Sequence, residues 1–225
     1  NTDGSLTKID SMVTGADGKY LFDSLLNNTY RIQFTPPAGF TTSPKSAVNT
    51  DLTNDSNINQ KGFTDNIVIN VNTTPTDLLR NNPTIDAGFV PLGSIGDFVW
   101  ADTDKDGLQD PTEVGLKNIR VILYKKDASG TFVKVDSVLT DANGKYLFDS
   151  LISGQYKVRF VAPAGTISSK ANVGIDTLDS DAATNGFSHI ITIDVTKLTA
   201  DTLRNNPTID AGFVPVGSIG DFVWL

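Results

Sequence analysis

The chain contains two copies of one sequence pattern, and this repeat limits its fold more than any other feature. The residues Gly18–Leu25 return unchanged as 144–151, and the residues from Leu79 to Pro91 return as 203–215. Spacings of 126 and 124 positions are as long as whole domains, whereas solenoid repeats recur roughly every 20 to 50 residues. We therefore expect tandem domains, with a loop of changed length between positions 39 and 55.

Alternation of apolar and polar residues predicts that each copy is built from β-strands. Tyr156, Val158 and Phe160 alternate with polar residues, as do Ile191 and Ile193, and a period of two residues is typical of a half-buried strand. A turn signal at residues 141–144 predicts a hairpin between the segments 132–140 and 145–148. About seven short strands per copy, without a helical period, predict an all-β fold of tandem Ig-like β-sandwich repeats.

An acidic segment, D-T-D-K-D-G-L-Q-D-P-T-E, matches the register of an EF-hand calcium loop. Carboxylates are expected at its positions 1, 3, 5, 9 and 12, a backbone carbonyl at position 7, and a glycine, here Gly107, at position 6. The predicted ligands of Ca²⁺ are Asp102, Asp104, Asp106, Leu108, Asp110 and Glu113. A solvated acidic turn is the alternative, but the complete register favours metal. Strand-like residues flank the loop, so it is expected to join two strands rather than two helices.

The repeat also predicts the domain boundaries. Residues 1–92 match only the later part of a copy and lack its first strands and the acidic loop, residues 93–216 form a complete copy, and residues 217–225 match the first strand of a third. We expect the chain to be an excerpt from a longer array. Both links between copies are short and contain proline, which favours stiff coupling of neighbouring repeats.

Composition excludes several classes of function. The net charge of −8 and a pI near 4.5 argue against binding to nucleic acid or to anionic membranes. No apolar run approaches the roughly 18 residues of a membrane span. The chain has no cysteine and one histidine, which excludes disulfides and thiolate chemistry and leaves few groups for acid–base catalysis. We therefore expect no enzymatic activity.

A second acidic cluster follows later in the complete copy. Its members are Asp176, Asp179 and Asp181, and the corresponding positions of the first copy are Asp51, Asp55 and Asn57. A second, weaker metal site and a polar solvated loop are both compatible with this pattern. Asn57 replaces an aspartate of the complete copy, so any site of the first copy is expected to be the weaker one.

Three separated motifs resemble a known family of bacterial surface modules. The segments I-G-D-F-V-W-A-D-T-D-K-D-G, D-A-N-G-K-Y-L-F-D-S-L and T-I-D-A-G-F occur in this order, and they resemble the B repeats of the serine–aspartate repeat adhesins, within the Cna-B-like superfamily. The resemblance implies a calcium-stabilised β-sandwich used in tandem as a stiff stalk. Many Cna-B relatives carry a Lys–Asn isopeptide bond, but residues 94–100 contain no lysine, and the strands 29–34 and 155–160 contain no acid.

The sequence thus predicts a calcium-stabilised structural spacer of a bacterial cell-surface adhesin or extracellular filament. The expected location is extracellular or on the bacterial surface, and the expected partners are neighbouring repeats of the same chain. The alternative is an adhesive module that contacts a host or matrix protein or a glycan through the loops that vary between copies, residues 39–55 and 165–176. Binding of a specific ligand by the complete copy would favour this alternative.

Overall fold

The computed structural model describes residues 5–45 and 55–222. The described residues form strands and turns without an α-helix, and none of them belongs to a helix long and apolar enough to cross a membrane. The chain divides into two compact units, the first formed by residues 1–35 and 42–88 and the second by residues 36–41 and 89–225.

Thirteen strands follow one another along the described chain. They are β1 (Asn28–Tyr30), β2 (Phe40–Thr42), β3 (Ile67–Ile69), β4 (Phe89–Pro91), β5 (Gly93–Ala101), β6 (Arg120–Lys126), β7 (Phe132–Leu139), β8 (Lys145–Leu151), β9 (Gly154–Phe160), β10 (Thr166–Ser168), β11 (Ile191–Ile193), β12 (Asn205–Asn206) and β13 (Ala211–Pro215). In the first unit β1 pairs antiparallel with β3.

The second unit consists of two sheets. In one sheet β5 is the central strand: β8 lies antiparallel along one edge, and β12 and β13 lie parallel along the other, with β10 beyond β13. The other sheet has the order β11-β9-β6-β7, with every neighbouring pair antiparallel. The two sheets enclose one core, so the all-β sandwich predicted from sequence is confirmed.

The apolar side of each strand faces this core. Tyr156, Val158 and Phe160 of β9 are each at most 2% exposed, as are Ile191 and Ile193 of β11, so the predicted alternation is confirmed. The opposite sheet contributes a second set of buried side chains: Ile95, Val99, Tyr146, Phe148, Ala211 and Phe213. Burying a large apolar side chain stabilises the fold by about 1.5–3 kcal/mol, so the paired faces hold the sheets together.

The predicted hairpin across residues 141–144 is wrong. The turn itself forms, since Asp141 N–H donates to Lys145 O at 2.9 Å and Gly144 has φ +85°. However, the strand before the turn, β7, pairs with β6, whereas the strand after it, β8, pairs with β5 in the other sheet. A turn motif specifies that the chain reverses, but not which strand the chain then pairs with, because that depends on partners distant in sequence.

Tyr146 joins the core to the backbone of the segment that precedes β13. Its ring packs edge-on against Phe148 and Phe160, and its hydroxyl donates to Ile209 O at 2.6 Å. The first unit has the same contact at the equivalent position, where Tyr20 donates to Ile85 O at 2.6 Å. The repeated contact indicates that the two copies share one packing scheme.

Tyr146→Phe should lower the free energy of unfolding of the second unit by about 1–3 kcal/mol, because it leaves the buried carbonyl of Ile209 without its donor. Urea unfolding at constant pH measures this loss. Tyr156→Phe is the matched control, since its hydroxyl donates to the partly accessible Ile152 O at 2.7 Å and water can replace it there. Equal losses in the two variants would contradict the prediction.

Candidate metal site and the comparisons with known proteins

The acidic loop 102–113 lies where the chain crosses between the two sheets of the second unit. It follows β5 of one sheet and leads towards β6 of the other, as the strand-like flanks predicted. Backbone hydrogen bonds fix both ends: Ala101 N–H donates to Val114 O and Asp102 N–H donates to Phe213 O, each at 3.0 Å. The loop is therefore held by the sheet rather than projecting freely into solvent.

Three carboxylates of the loop converge. One oxygen each of Asp102, Asp104 and Asp106 lies within 4.8 Å of the other two. Asp102 is completely buried, whereas the other two are exposed. Oxygens about 2.4 Å from a shared calcium ion lie at most about 4.8 Å apart, because Ca²⁺–oxygen distances are about 2.3–2.6 Å. The spacing of these three side chains therefore fits a single calcium ion.

Backbone amides hold the three carboxylates in place. Asp102 Oδ1 accepts from Lys105 N–H at 2.6 Å and Oδ2 from Gly107 N–H at 3.1 Å. Asp104 Oδ1 accepts from Asp106 N–H at 3.3 Å, and Asp106 Oδ1 accepts from Leu108 N–H at 2.7 Å. Gly107 has φ +87°, and a Cβ at this position would lie 2.6 Å from Lys170 O. A tight turn and a close backbone neighbour thus both require glycine there.

Asp110 and Glu113 close the loop by a different set of contacts. Glu113 Oε1 accepts from Thr103 N–H at 2.6 Å, and Oε2 accepts from Asp110 N–H at 3.2 Å. The carboxylates of these two residues do not belong to the converging group of the described chain, which contains Asp102, Asp104 and Asp106. Leu108 is half-buried. Metal binding by the six residues together stays a prediction.

The second acidic segment packs directly against the loop, which the sequence did not indicate. Gln109 N–H donates to Leu178 O at 2.7 Å, and Ser180 N–H donates to Gly107 O at 3.1 Å. These bonds place Leu108 opposite Asp179 in an antiparallel bridge. The two acidic segments, about 70 positions apart in the sequence, therefore form one region of the domain.

The three predicted residues of this segment have different surroundings. Asp176 is exposed and accepts a hydrogen bond from the Thr208 hydroxyl at 2.8 Å. Asp179 is buried and accepts from Gly174 N–H at 2.9 Å through Oδ2, while its Oδ1 has no partner. Asp181 is also buried and accepts from Asp210 N–H at 2.8 Å. Whether this segment binds metal stays a prediction.

Asp181 and His189 form a buried-to-surface pair. Asp181 Oδ1 lies 3.2 Å from His189 Nδ1, and this oxygen has a hydrogen-bond partner only when that nitrogen carries a proton. The hydrogen bond with Asp181 raises the pKa of His189, while burial raises the pKa of Asp181. The protonated imidazole therefore stabilises the buried carboxylate.

Sequence reasoning missed Asp210, the most perturbed acid of the region. It is completely buried, its Oδ1 accepts from Phe98 N–H at 3.0 Å, and its Oδ2 has no partner. Burial raises the pKa of Asp210 to about 9, and the nearby charge of Asp97 on β5 adds to this effect. The segment T-I-D-A-G-F, which recurs in both copies, was the available signal, because burying an acid among apolar residues is costly unless the acid is paired or neutralised.

The first unit repeats part of this arrangement. Asn57 Oδ1 accepts from Asp86 N–H at 2.5 Å, as Asp181 does from Asp210, and Asn57 Nδ2 donates to Asp55 Oδ1 at 3.2 Å. Asp86 also has a buried oxygen, Oδ2, without a partner. Asp51, the third predicted residue of this copy, lies outside the described residues. The alignment of Asn57 with Asp181 inferred from sequence thus has a structural counterpart.

Comparisons with known proteins identify the family. The model of the SdrD B-like domain matches residues 2–89 and again residues 93–213. Because these matches cover most of the chain, the chain belongs to the SdrD B-like domain family. The resemblance inferred from the three motifs is thereby confirmed.

Curated relatives are serine–aspartate repeat proteins of staphylococci. The chain is 35% identical over 225 residues to serine-aspartate repeat-containing protein F of Staphylococcus epidermidis, covering 99% of this chain and 13% of that protein. It is 37% identical over 183 residues to serine-aspartate repeat-containing protein C of Staphylococcus aureus, covering 80% of this chain and 17% of that protein. The chain thus spans less than a fifth of the length of these relatives.

Solved structures give weaker likenesses. The major plantain pollen allergen Pla l 1 has a TM-score of 0.37 at 16% identity, covering 58% of this chain and 99% of the allergen. The minor pilin GBS52 of Streptococcus agalactiae has a TM-score of 0.35 at 13% identity, covering 88% of this chain and 87% of the pilin.

The buried carboxyl of Asp210 predicts a pH dependence of stability in metal-free buffer. The unfolded carboxyl has a pKa of about 3.9, so between about pH 4 and 9 the folded carboxyl holds a proton that the unfolded one has released. Stability should therefore fall as pH rises, by up to about 1.4 kcal/mol per pH unit. Urea unfolding with chelator between pH 5 and 8 measures this slope.

Asp210→Asn should make that slope clearly shallower, because the amide stays neutral and its oxygen can still accept from Phe98 N–H. The raised pKa of His189 also makes stability fall as pH rises, so part of the dependence of stability on pH remains in this variant. Asp149→Asn, the same change at an exposed position on β8, is the control and should leave the slope intact. An unchanged slope in Asp210→Asn would contradict the assignment.

Proposed function

We propose that this protein is a calcium-stabilised spacer repeat of a bacterial cell-surface adhesin or extracellular filament. The observation that carries the proposal is the convergence of Asp102, Asp104 and Asp106 in a loop that crosses between the sheets. Three like charges within 4.8 Å repel one another. Among the described ion pairs, none involves a carboxylate of this loop, so a bound cation is the natural source of compensation.

The position of the loop explains why calcium would stabilise the domain. A cation held by Asp102 would fix the end of β5, and the bonds from Gln109 and to Gly107 would tie the same loop to the segment 178–180. Calcium would thus connect parts of the fold that are distant in sequence, as a disulfide does in other secreted domains. The chain has no cysteine to provide such a link.

Family membership and the repetition of the domain support the proposed spacer role. The partners we propose are neighbouring repeats of the same chain, and the location we propose is the bacterial surface or the extracellular space. A domain that repeats the same packing contacts, such as Tyr20 to Ile85 and Tyr146 to Ile209, suits a structural element better than a catalytic one. We propose no enzymatic activity.

Calcium should raise the melting temperature of the second unit by several degrees relative to chelator. Binding to the folded state alone stabilises it by about 2.7 kcal/mol when free calcium is a hundredfold above Kd. Differential scanning calorimetry of the full chain in calcium and in chelator tests this. Identical melts would refute calcium binding.

Variants of the loop separate metal binding from loop structure. Asp104→Asn with Asp106→Asn keeps an oxygen acceptor for each backbone amide but removes two charges, so the calcium-dependent increase should largely disappear. Glu113→Gln should also reduce it. Asp141→Asn is the matched control, since Asp141 Oδ1 accepts from Asn143 and Lys145 N–H in a similar turn outside the loop, and it should respond to calcium like the unsubstituted chain.

The protein should contain no isopeptide crosslink. Strand β5 contains no lysine, and β1 and β9 contain no acid, so the groups that form this bond in many Cna-B relatives are missing from the expected strands. Intact-mass spectrometry should give the mass calculated from the sequence. A deficit of about 17 or 18 Da per domain, equal to one ammonia or one water, would overturn this expectation.

A further inference from the structure

The sheet β11-β9-β6-β7 carries a cluster of positive charge on its outer side. Alternate residues of β6 and β9 face the core. The buried residues are Val121, Leu123, Tyr156, Val158 and Phe160. Because successive side chains of a strand point to opposite sides, the residues between them face outward. Lys134 of β7 lies opposite the outward residue Tyr124 in the β-ladder and shares its side. The outward cations, which we call the cationic face, are Arg120, Lys126, Lys134, Lys157 and Arg159.

Among the residues of these four strands, no acid lies on the same side. Within the four strands of this sheet, the one acidic residue is Asp136. Asp136 lies opposite the buried Leu123 in the ladder, so its side chain belongs to the other side of the sheet. The chain as a whole has a net charge of −8, so positive charge is concentrated on one sheet of an acidic protein.

Aromatic rings contact two of these cations. Lys157 Nζ lies 5.2 Å from the centre of the Phe132 ring, and the Arg159 guanidinium lies 5.4 Å from the centre of the Phe187 ring. Tyr124 packs against Phe187 with 5.4 Å between ring centres. Such contacts reduce the entropy lost when the side chains are ordered by a partner.

Strand β7 provides an open edge beside the cationic face. It is eight residues long and pairs with β6 on one side, and it ends the order of its sheet among the described strands. Alternate N–H and C=O groups of such an edge point away from the sheet and can pair with an added strand. Lys134 on this edge disfavours neutral or basic strands and favours one that carries acids.

We propose that this side of the sheet, formed by the cationic face and the edge of β7, binds an extended acidic segment of a partner protein. The five outward cations favour an anionic partner. The edge position of β7 favours a polypeptide over a glycan or nucleic acid, which cannot continue a β-ladder. Ser137 N–H already donates to Asp136 Oδ1 at 2.7 Å, so an added strand pairs with the other outward backbone groups of β7. The segment pairs along β7 and directs alternate carboxylates towards the cationic face. This inference does not depend on metal in the loop 102–113.

The test uses the full chain in calcium buffer and a twelve-residue peptide of alternating glutamate and threonine that carries an uncharged fluorophore. Fluorescence anisotropy should show saturable binding that weakens as salt increases. Lys126→Glu with Lys134→Glu should weaken binding at least tenfold. Lys117→Glu with Lys145→Glu, a matched double reversal at exposed positions outside the cationic face, should change it less than twofold. Thermal melts verify that both variants fold.

Further probes distinguish the possible occupants. Two peptides are N-methylated at alternate backbone amides, one at its glutamates and the other at its threonines. Only one of these two sets of N–H groups points towards β7, so methylation should abolish binding of one peptide and not of the other. A heparin oligosaccharide and a single-stranded oligonucleotide of equal charge should bind at least tenfold more weakly. Equal binding of these polyanions, insensitivity to both N-methylated peptides, or absence of peptide binding below 1 mM would overturn the proposal. Self-association of the chain through the cationic face would also overturn the proposal.

The outcome is independent of the proposed calcium site. Failure of calcium to raise the melting temperature would refute the metal proposal and leave peptide binding untouched. Conversely, failure of the peptide to bind while calcium stabilises the chain would refute the docking surface alone. The loop double variant Asp104→Asn with Asp106→Asn should bind the peptide like the unsubstituted chain.

Discussion

The fold of the second unit depends on how Asp102 is accommodated at the crossing between the sheets. Its N–H donates to Phe213 O, which joins the end of β5 to β13, and its two carboxylate oxygens accept backbone N–H groups of the following loop. A completely buried carboxylate is costly unless it is paired. The loop meets this cost in part with backbone dipoles, and the proposed calcium ion would compensate the remaining negative charge.

A second group of buried acids lies beside the loop, and backbone N–H groups hold these carboxyls as well. Each of these acids accepts a hydrogen bond from a backbone N–H: they are Asp179, Asp181 and Asp210. Asp179 and Asp210 each have a second oxygen without a hydrogen-bond partner. The second oxygen of Asp181 has a partner only when His189 is protonated. In the first unit, Asn57 takes the place of Asp181 and keeps the hydrogen bond to the backbone of Asp86. The backbone arrangement is therefore retained between copies while the charge differs.

Acidic and basic side chains are concentrated in different parts of the second unit. Acids gather at the end of the sandwich where β5 leaves its sheet, whereas cations gather on the outer side of the sheet that contains β6 and β9. Because the net charge is negative, the composition alone argues against anionic partners. The proposed docking surface has the opposite preference, and the two are compatible because interactions between exposed charges are screened over about 8 Å at physiological salt.

The sequence by itself determined the class of the fold, the strand periodicity and the convergence of three of the five carboxylates predicted in the acidic loop. Alternation at Tyr156, Val158 and Phe160 requires only that one side of a strand avoid water, so it can be read from neighbouring residues. The positive φ of Gly107 is likewise local, whereas the close approach of Lys170 O to this glycine comes from the tertiary structure. The sequence failed at the pairing of β7 and β8, which the turn at 141–144 joins but which belong to different sheets. Tertiary structure also decided that Asp179 lies beside the loop, that Asp210 is buried, and that Lys134 and Lys157 share one side of a sheet. These contacts join residues far apart in the chain, and their energies come from a shared core and from exclusion of water, which no local pattern specifies.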